Sequence, residues 1–380
     1  MRIVLLVYRY WPVVGGVEKY IHQLARALQS AGHRVDVIAG ATVEDLPESE
    51  THEGVPIHRF PALRSPLRSR AWFIRKLPLL ARADVINVSN THMLEYFWRM
   101  VGPMIDRRKV FLTRHGMSYT YPVPQQEKRR AKRSLKLAAG VVHDGEFIEK
   151  WLGVEPDICP DQGLYPQADD LEPVPEPPPE SAVYIGRIEP DSGIGIYIDA
   201  VRILTKRWGR TFELQVFGDG TLARPLRETA ERERLPVHFN GREEDAQRHI
   251  VESCFGFIDG RMAIQEAMAR RRLVVAAYTD PLKKDYIGGE PFSPYLVMAG
   301  DGEELARKVA HYSDHPDERS NLIARAFDHA CTLTWTRTAE AYLEFWRRKL
   351  ARSQPRCSRW ELTRIAHSMD REARIPASAR

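Results

Sequence analysis

The chain opens on Ile3–Tyr8, a continuous apolar and β-branched run, the mark of a strand buried on both faces of a parallel sheet. After the turn at Pro12–Gly16, the apolar residues Val17, Ile21, Leu24, Ala25 and Leu28 recur at helical spacing, and Gly32 closes the pattern. Val35–Ile38 predicts a second strand. Strand, turn, helix and strand in that order form a βαβ unit with a right-handed crossover. Asp84–Val88, Val110–Leu112 and Gly140–Val142 predict further strands.

The pattern breaks at residues 166–180, which hold six prolines and five acidic residues. Such a segment supports neither a helix nor a central strand and reads as a stiff, solvated connector. The alternation then resumes. Ala182–Ile185, Glu213–Phe217, Val237–Phe239, Phe255–Ile258 and Leu273–Ala277 predict strands; Gly195–Trp208, Leu222–Glu233 and a segment from Met262 predict helices. Residues 301–313 and 316–350 read as helical. The expected fold class is α/β, with two doubly wound Rossmann-like domains facing a cleft. The expected boundaries are 1–165 for the first domain, 166–181 for the connector and 182–335 for the second domain. A helix at 336–350 crosses back to the first domain, and a basic tail covers 351–380.

Composition narrows the class. With 380 residues, 43% hydrophobic and 28% charged, the chain has the make-up of an ordinary globular protein. No apolar run reaches the length of a membrane span, and the opening residues lack the cleavage site of a secretion signal. The four cysteines (Cys159, Cys254, Cys331 and Cys357) form no CxxC pair, so neither a zinc site nor a disulfide framework is expected. The expected compartment is the reducing cytoplasm. The net charge of +5 is unevenly spread: residues 351–380 carry a surplus of four, which leaves about one for the rest. Nucleic-acid binding is therefore not expected.

Ligands of open parallel sheets bind beyond the carboxyl ends of the strands, so the strand-to-helix turns are the candidate sites. Gly15 and Gly16 open the first helix, where backbone N–H groups and the helix dipole can meet an anion; an ordinary tight turn is the alternative. No GxGxxG occurs, which argues against a dinucleotide enzyme. In GRIEPDSG (186–193), Arg187 follows a strand and suits bidentate contact with a phosphate; the alternative is a surface ion pair with Glu189 or Asp191. Glu266, in a helix start after a strand, can accept both hydroxyls of a ribose or serve as a helix N-terminal charge.

In combination these segments resemble the retaining glycosyltransferases of family four, which have the GT-B fold, over about residues 1 to 350. GGVEKYIHQLARALQSAGHRVDVIAG resembles that family's first turn and helix, and VYIGRIEPDSG its phosphate signature. LQVFGDG resembles its inner glycine strand, QEAMARRRLVVAA its EAMA helix, and LTWTRTAEAYLEFW its returning C-terminal helix. The resemblance implies a nucleotide-sugar donor, UDP- or GDP-linked, whose diphosphate meets Gly15, Gly16 and Arg187 and whose ribose meets Glu266. It places His115, in LTRHG, near the transferred sugar, with a buried structural imidazole as the alternative. The implied acceptor is a glycan, a lipid-linked group or a small molecule. No Asp-x-Asp pair occurs, so no metal and no cofactor are expected.

Two positions depart from the family pattern. The phosphate lysine expected before Gly193 is Ser192, which keeps a hydrogen bond but loses a charge. The glutamate expected eight residues before Glu266 is Ile258, in a turn about five residues shorter than the family's. Arg261, in that turn with Asp259, either restores the charge lost at Ser192 or belongs to a purely structural turn. Two functions follow: a sugar transferase with a modified donor pocket, or a non-catalytic nucleotide-sugar-binding or partner subunit on the same fold.

Residues 64–76 hold five basic side chains and 128–136 hold six, with no acid in either. Interleaved Leu67, Trp72, Phe73 and Leu77 suit the first segment to an anionic membrane surface, which would make the protein peripheral on the inner membrane face. A pair of solvated helices with snorkelling side chains is the equal alternative.

Overall fold

The computed structural model describes residues 1–352, except 14, 63–65, 118–119, 173–175 and 244. Cys357 and all but the start of the basic tail lie outside the described residues. The chain divides into two compact units. The first holds residues 1–117, 123–162 and the helix from Trp335; the second holds 163–334 with the short stretch 120–122.

In the first unit, β1 (Arg2–Leu6), α1 (Gly16–Ser30) and β2 (Arg34–Gly40) form the opening βαβ. A hairpin of β3 (Ser49–His52) and β4 (Val55–Phe60) follows, then α2 (Pro66–Arg75), α3 (Leu77–Arg82), β5 (Val85–Ser89) and α4 (Thr91–Val101). β6 (Val110–Arg114), α5 (Gln125–Ser134), β7 (Gly140–His143) and α6 (Phe147–Leu152) complete the run. The sheet order is β3-β4-β2-β1-β5-β6-β7, parallel except for the β3–β4 hairpin.

Alternation along β1 sorts its side chains between two cores. Ile3 and Leu5 pack with Tyr20, Ile21, Leu24 and Leu28 of α1; Val4 and Leu6 pack with Trp72, Phe73, Leu94 and Phe97 of α2 and α4. Both faces are covered from Ile3 to Leu6, which is why those four positions are all apolar. Burying one such side chain contributes about 1.5–3 kcal/mol.

The second unit runs β8 (Ser181–Ile185), α7 (Ile194–Arg202), β9 (Glu213–Phe217), α8 (Ala223–Glu233), β10 (Val237–Gly241) and β11 (Phe255–Phe257). It continues with α9 (Arg261–Ala269), β12 (Leu273–Ala277), α10 (Pro281–Gly288), β13 (Val297–Ala299), α11 (Gly302–Asp314) and α12 (Pro316–Cys331). Its parallel sheet has the order β10-β9-β8-β11-β12-β13. The last helix, α13 (Trp335–Ala351), belongs to the first unit and packs on α1. Its Trp335, Ala339, Tyr342 and Trp346 recur at helical spacing and are buried, and Tyr342 shares hydrogen bonds of 3.1 Å with Tyr20 and with Thr113.

The structure corrects three expectations. Residues 316–350 are two helices: Thr332 and Leu333 turn back onto His329 and Ala330 and stop α12. The helix expected to reach Trp208 ends at Arg202 and passes into a wider π-type turn over Ile203–Arg207. The aromatic residues of the first basic segment are not available to a lipid surface. Trp72 and Phe73 are buried against Phe60 and Phe97, and only Leu67 and Ile74 of that helix expose large apolar side chains. A helix in that setting must turn its apolar residues to the sheet, so they form core. Among the described residues no helix is long and apolar enough to cross a membrane.

Candidate functional site

Each sheet has one place where its strand order reverses. In the first unit β2 and β5 flank β1; in the second, β9 and β11 flank β8. The loops beyond the carboxyl ends of these strands diverge and leave a crevice, the usual ligand site of such sheets. Nearly all the residues singled out from the sequence lie on these loops.

In the first unit a cavity of about 780 Å³ opens beyond β1, β5 and β6, lined among others by Arg9, Asn90, His92, Arg99, Arg114, His115 and Arg130. Asn90 directly follows β5 with φ 69° and ψ 151°, a backbone region that glycine alone adopts easily. Two bonds hold it there: its N–H donates to the Thr113 carbonyl (2.7 Å), and its side-chain oxygen accepts from the His115 N–H (3.0 Å). Strain in β5's loop thus positions the backbone of β6's loop. The His115 side chain is almost fully buried, with Nδ1 3.6 Å from Asp144 Oδ2 and Tyr20 edge-on to its ring at 4.6 Å. Its Nε2 has no hydrogen-bond partner among the described residues, although the residue lines the cavity.

Arg114, not singled out from the sequence, is buried beside it. Its guanidinium donates to the Ala131 carbonyl (2.9 Å) and Ser134 Oγ, and lies 2.7 Å from His143 Nε2. Burial lowers the Arg114 pKa to about 10, so the charge persists at neutral pH, and burial with Arg114 beside it lowers His143 to about 3. Gly15, the N-cap of α1, has an extended backbone that any residue adopts, but a Cβ there would collide with the Glu18 carboxylate. Gly16 is the first residue of the helix.

In the second unit the loops after β8 and β9 interlock. Ile188 N–H donates to the Asp219 carbonyl (2.9 Å) and Leu222 N–H to the Ile188 carbonyl (3.0 Å). Gly218 and Gly220 lie against the Gly186 and Ile188 carbonyls where a Cβ would overlap, so the close approach of these two loops requires glycine. Arg187 extends from this platform, about three-fifths exposed, and pairs with Asp191 at 2.8 Å, the ion pair weighed from the sequence. Ser192 is buried. Its hydroxyl donates to the Glu189 carbonyl (2.8 Å) and accepts from the Glu189 N–H (3.3 Å), so its one proton goes to the turn rather than to a ligand.

After β11, Asp259 and Arg261 are both buried and both matched. Asp259 pairs with Lys283 of α10 at 2.8 Å, and Arg261 pairs with Glu290 at 2.8 Å. Burial pushes the Asp259 carboxyl above its ordinary range despite the ammonium beside it. Burial works against the Lys283 charge, but Asp259 holds the ammonium above its usual value. The Arg261 charge is thus answered by Glu290, the arrangement of the structural turn weighed from the sequence as the alternative to a charge that replaces a lysine at position 192. Ile258 is core. Glu266 is buried on α9, one turn beyond Arg261. Lys283 and Glu290 were missed because their partners lie about one helix away in sequence; the only local hint was the basic pair Lys283-Lys284 at a helix start.

Comparison with known proteins completes the picture. Residues 14–151 match the model of Glycosyltransferase Family 4, and residues 179–315 match that of Glycosyl transferases group 1. Among the curated proteins, none matches the sequence. Among solved structures, HepE of Anabaena in complex with UDP is similar at 17% identity, with 90% of this chain and 98% of that one covered and a TM-score of 0.70. Sucrose-phosphate synthase from Thermosynechococcus elongatus is similar at 16% identity, 92% and 100% coverage and a TM-score of 0.68. A trehalose-6-phosphate structure from E. coli, bound with UDP-2-fluoro glucose, is similar at 13% identity, 91% and 99% coverage and a TM-score of 0.67. The chain therefore carries two Rossmann-like domains in a GT-B fold, the first matching the Glycosyltransferase Family 4 model and the second the Glycosyl transferases group 1 model.

Proposed function

We propose that the protein transfers a sugar from a nucleoside diphosphate sugar, UDP- or GDP-linked, to a glycan, lipid-linked or small-molecule acceptor, without a metal and with retention of configuration. The observation that carries this reading is the grouping of Arg187, the Gly218–Gly220 turn and the helix bearing Glu266 on the loops of three adjacent strands, β9, β8 and β11. When the bond from sugar to diphosphate breaks, negative charge grows on the leaving phosphate. Arg187 stabilises that charge more in the transition state than in the ground state. Glu266 accepts from the ribose hydroxyls, and His115 attends the transferred sugar. Ser192 shapes the turn that presents Arg187. UDP and UDP-2-fluoro glucose in the structures of similar fold support the choice of donor.

A second reading, a subunit that binds nucleotide sugars without turning them over, draws on two positions. Ser192 supplies no cation, and Ile258 stands buried where the resemblance calls for a glutamate. Calorimetry with UDP-, GDP- and dTDP-sugars, followed by assays of donor hydrolysis and transfer, separates the readings. Binding with slow hydrolysis of one donor is the expected result. Binding without any turnover favours the second reading, and no binding at all overturns both.

A further inference from the structure

In the first unit, away from the cavity, His22 of α1, His52 at the end of β3 and Glu53 in the following turn meet with their ligand atoms all within 4.8 Å of one another. From this geometry we propose that His22, His52 and Glu53 form a binding site for a zinc-type divalent cation, which fastens the loop between β1 and α1 to the β3–β4 hairpin.

Two imidazoles and one carboxylate are a donor set suited to zinc, with a fourth position left for water. With metal–ligand bonds of about 2.0–2.1 Å, the edges of a tetrahedral site are roughly 3.3 Å long. The His22 Nε2 to Glu53 Oε2 separation is 3.1 Å, so that edge already has the right length. No separation among the three ligand atoms exceeds 4.8 Å, so none needs to close by more than roughly 1.5 Å, an adjustment of side-chain rotamers.

The surroundings hold both rings in orientation, as outer groups do at metal centres. Tyr10 Oη lies 2.9 Å from His22 Nδ1, the nitrogen left over when Nε2 binds a cation; that nitrogen then carries the proton and donates it to Tyr10. Trp11 stacks flat on His52, with ring centroids 3.9 Å apart and planes within 10°. Tyr10 and Trp11 belong to the loop that leads to Gly15, so a cation here would order that loop through both rings. The competing charge is Arg26, whose Nη1 is 2.8 Å from Glu53 Oε2. Its side chain is two-fifths exposed and can retreat to water or to the other carboxylate oxygen.

The site does not depend on the sugar-transfer reading, and its test uses no donor. The full chain, stripped by chelator and desalted, is titrated with Co²⁺ alone. One equivalent is expected to give the strong visible bands of a four-coordinate nitrogen–oxygen site, and Zn²⁺ is expected to bleach them. His52→Ala and Glu53→Gln should each weaken binding at least ~10-fold, in line with the loss of a metal-centre contact. Should His52→Ala fail to fold, Glu53→Gln, in an exposed turn, still decides the matter. Only the weak spectrum of hydrated cobalt, or an unchanged titration in Glu53→Gln, would overturn the assignment.

Discussion

Arg114 and Arg261 are both buried arginines at or just beyond the carboxyl end of a parallel strand, one in each unit, and their charges are answered in opposite ways. Arg261 meets a carboxylate, Glu290, in a closed ion pair. Arg114 has neutral partners: the Ala131 carbonyl, the Ser134 hydroxyl and an unprotonated His143. At Arg261 the second unit balances its buried charge internally, and it leaves the exposed Arg187 to meet an anion. The first unit keeps a buried positive charge, steadied by dipoles, in the wall of its cavity. Charge that is matched within the fold is committed to stability; charge answered by dipoles alone remains available to a ligand's field.

The contrast makes its largest claim at Glu290. Glu290→Ala strands the Arg261 cation in a low-dielectric site and should destabilise the second unit by about 3–5 kcal/mol in urea denaturation. Replacing both partners, Arg261→Met with Glu290→Leu, should recover most of that loss. A cost for the single variant within the range of an ordinary surface change would break the comparison.

Next comes the pH dependence of the first unit. Burial, with the Arg114 charge beside it, lowers the His143 pKa from its ordinary 6.5 to about 3 in the folded chain. Between those values the unfolded chain binds the proton and the folded one does not. This depressed base therefore contributes stability that is fully present above pH 6.5 and is lost as pH falls toward 3. The expected slope reaches about 1.4 kcal/mol per pH unit. His143→Gln should flatten the profile of urea midpoints against pH. Arg114→Met should flatten it in part, because the Arg114 charge supports the depression, and should itself cost about 2–3 kcal/mol through the acceptors it leaves unmet.

These pairs mark the limit of what the sequence discloses. β1 and α1 are legible because their periodicity, continuous in one and helical in the other, is a direct trace of burial on two faces or one. The candidate loops are legible for a related reason: glycines between an apolar strand and an amphipathic helix announce a turn at a strand's carboxyl end. The β3–β4 hairpin was not legible, since Ser49-Glu50-Thr51-His52 forms an edge strand whose polar residues carry no alternation. Arg114 was hidden in an apolar run, where its burial depends on Ser134 and His143, 20 and 29 residues further along. The Arg261–Glu290 and Asp259–Lys283 pairs join separate helices or turns, and a single sequence records neither end of such a contact. Strain at Asn90 is likewise a property of two neighbouring loops, visible only once both are in place.

The smallest expected effect on stability sharpens the comparison from the other side. The Arg187–Asp191 pair is solvent-exposed at its arginine end and lies within one loop, four residues apart. Water screens such a pair and the side chains lose entropy in forming it, so Arg187→Ala should change stability by no more than about 0.5 kcal/mol. If Arg187 is held for a diphosphate, the same substitution removes a charge-assisted contact of about 1.5–3 kcal/mol, and UDP affinity measured by calorimetry should fall at least ~10-fold. A variant as unstable as Glu290→Ala would make Arg187 another internally committed charge. A variant that stays stable and keeps its UDP affinity would remove Arg187 from the donor site and leave the backbone of the glycine turns as the group that meets the phosphate.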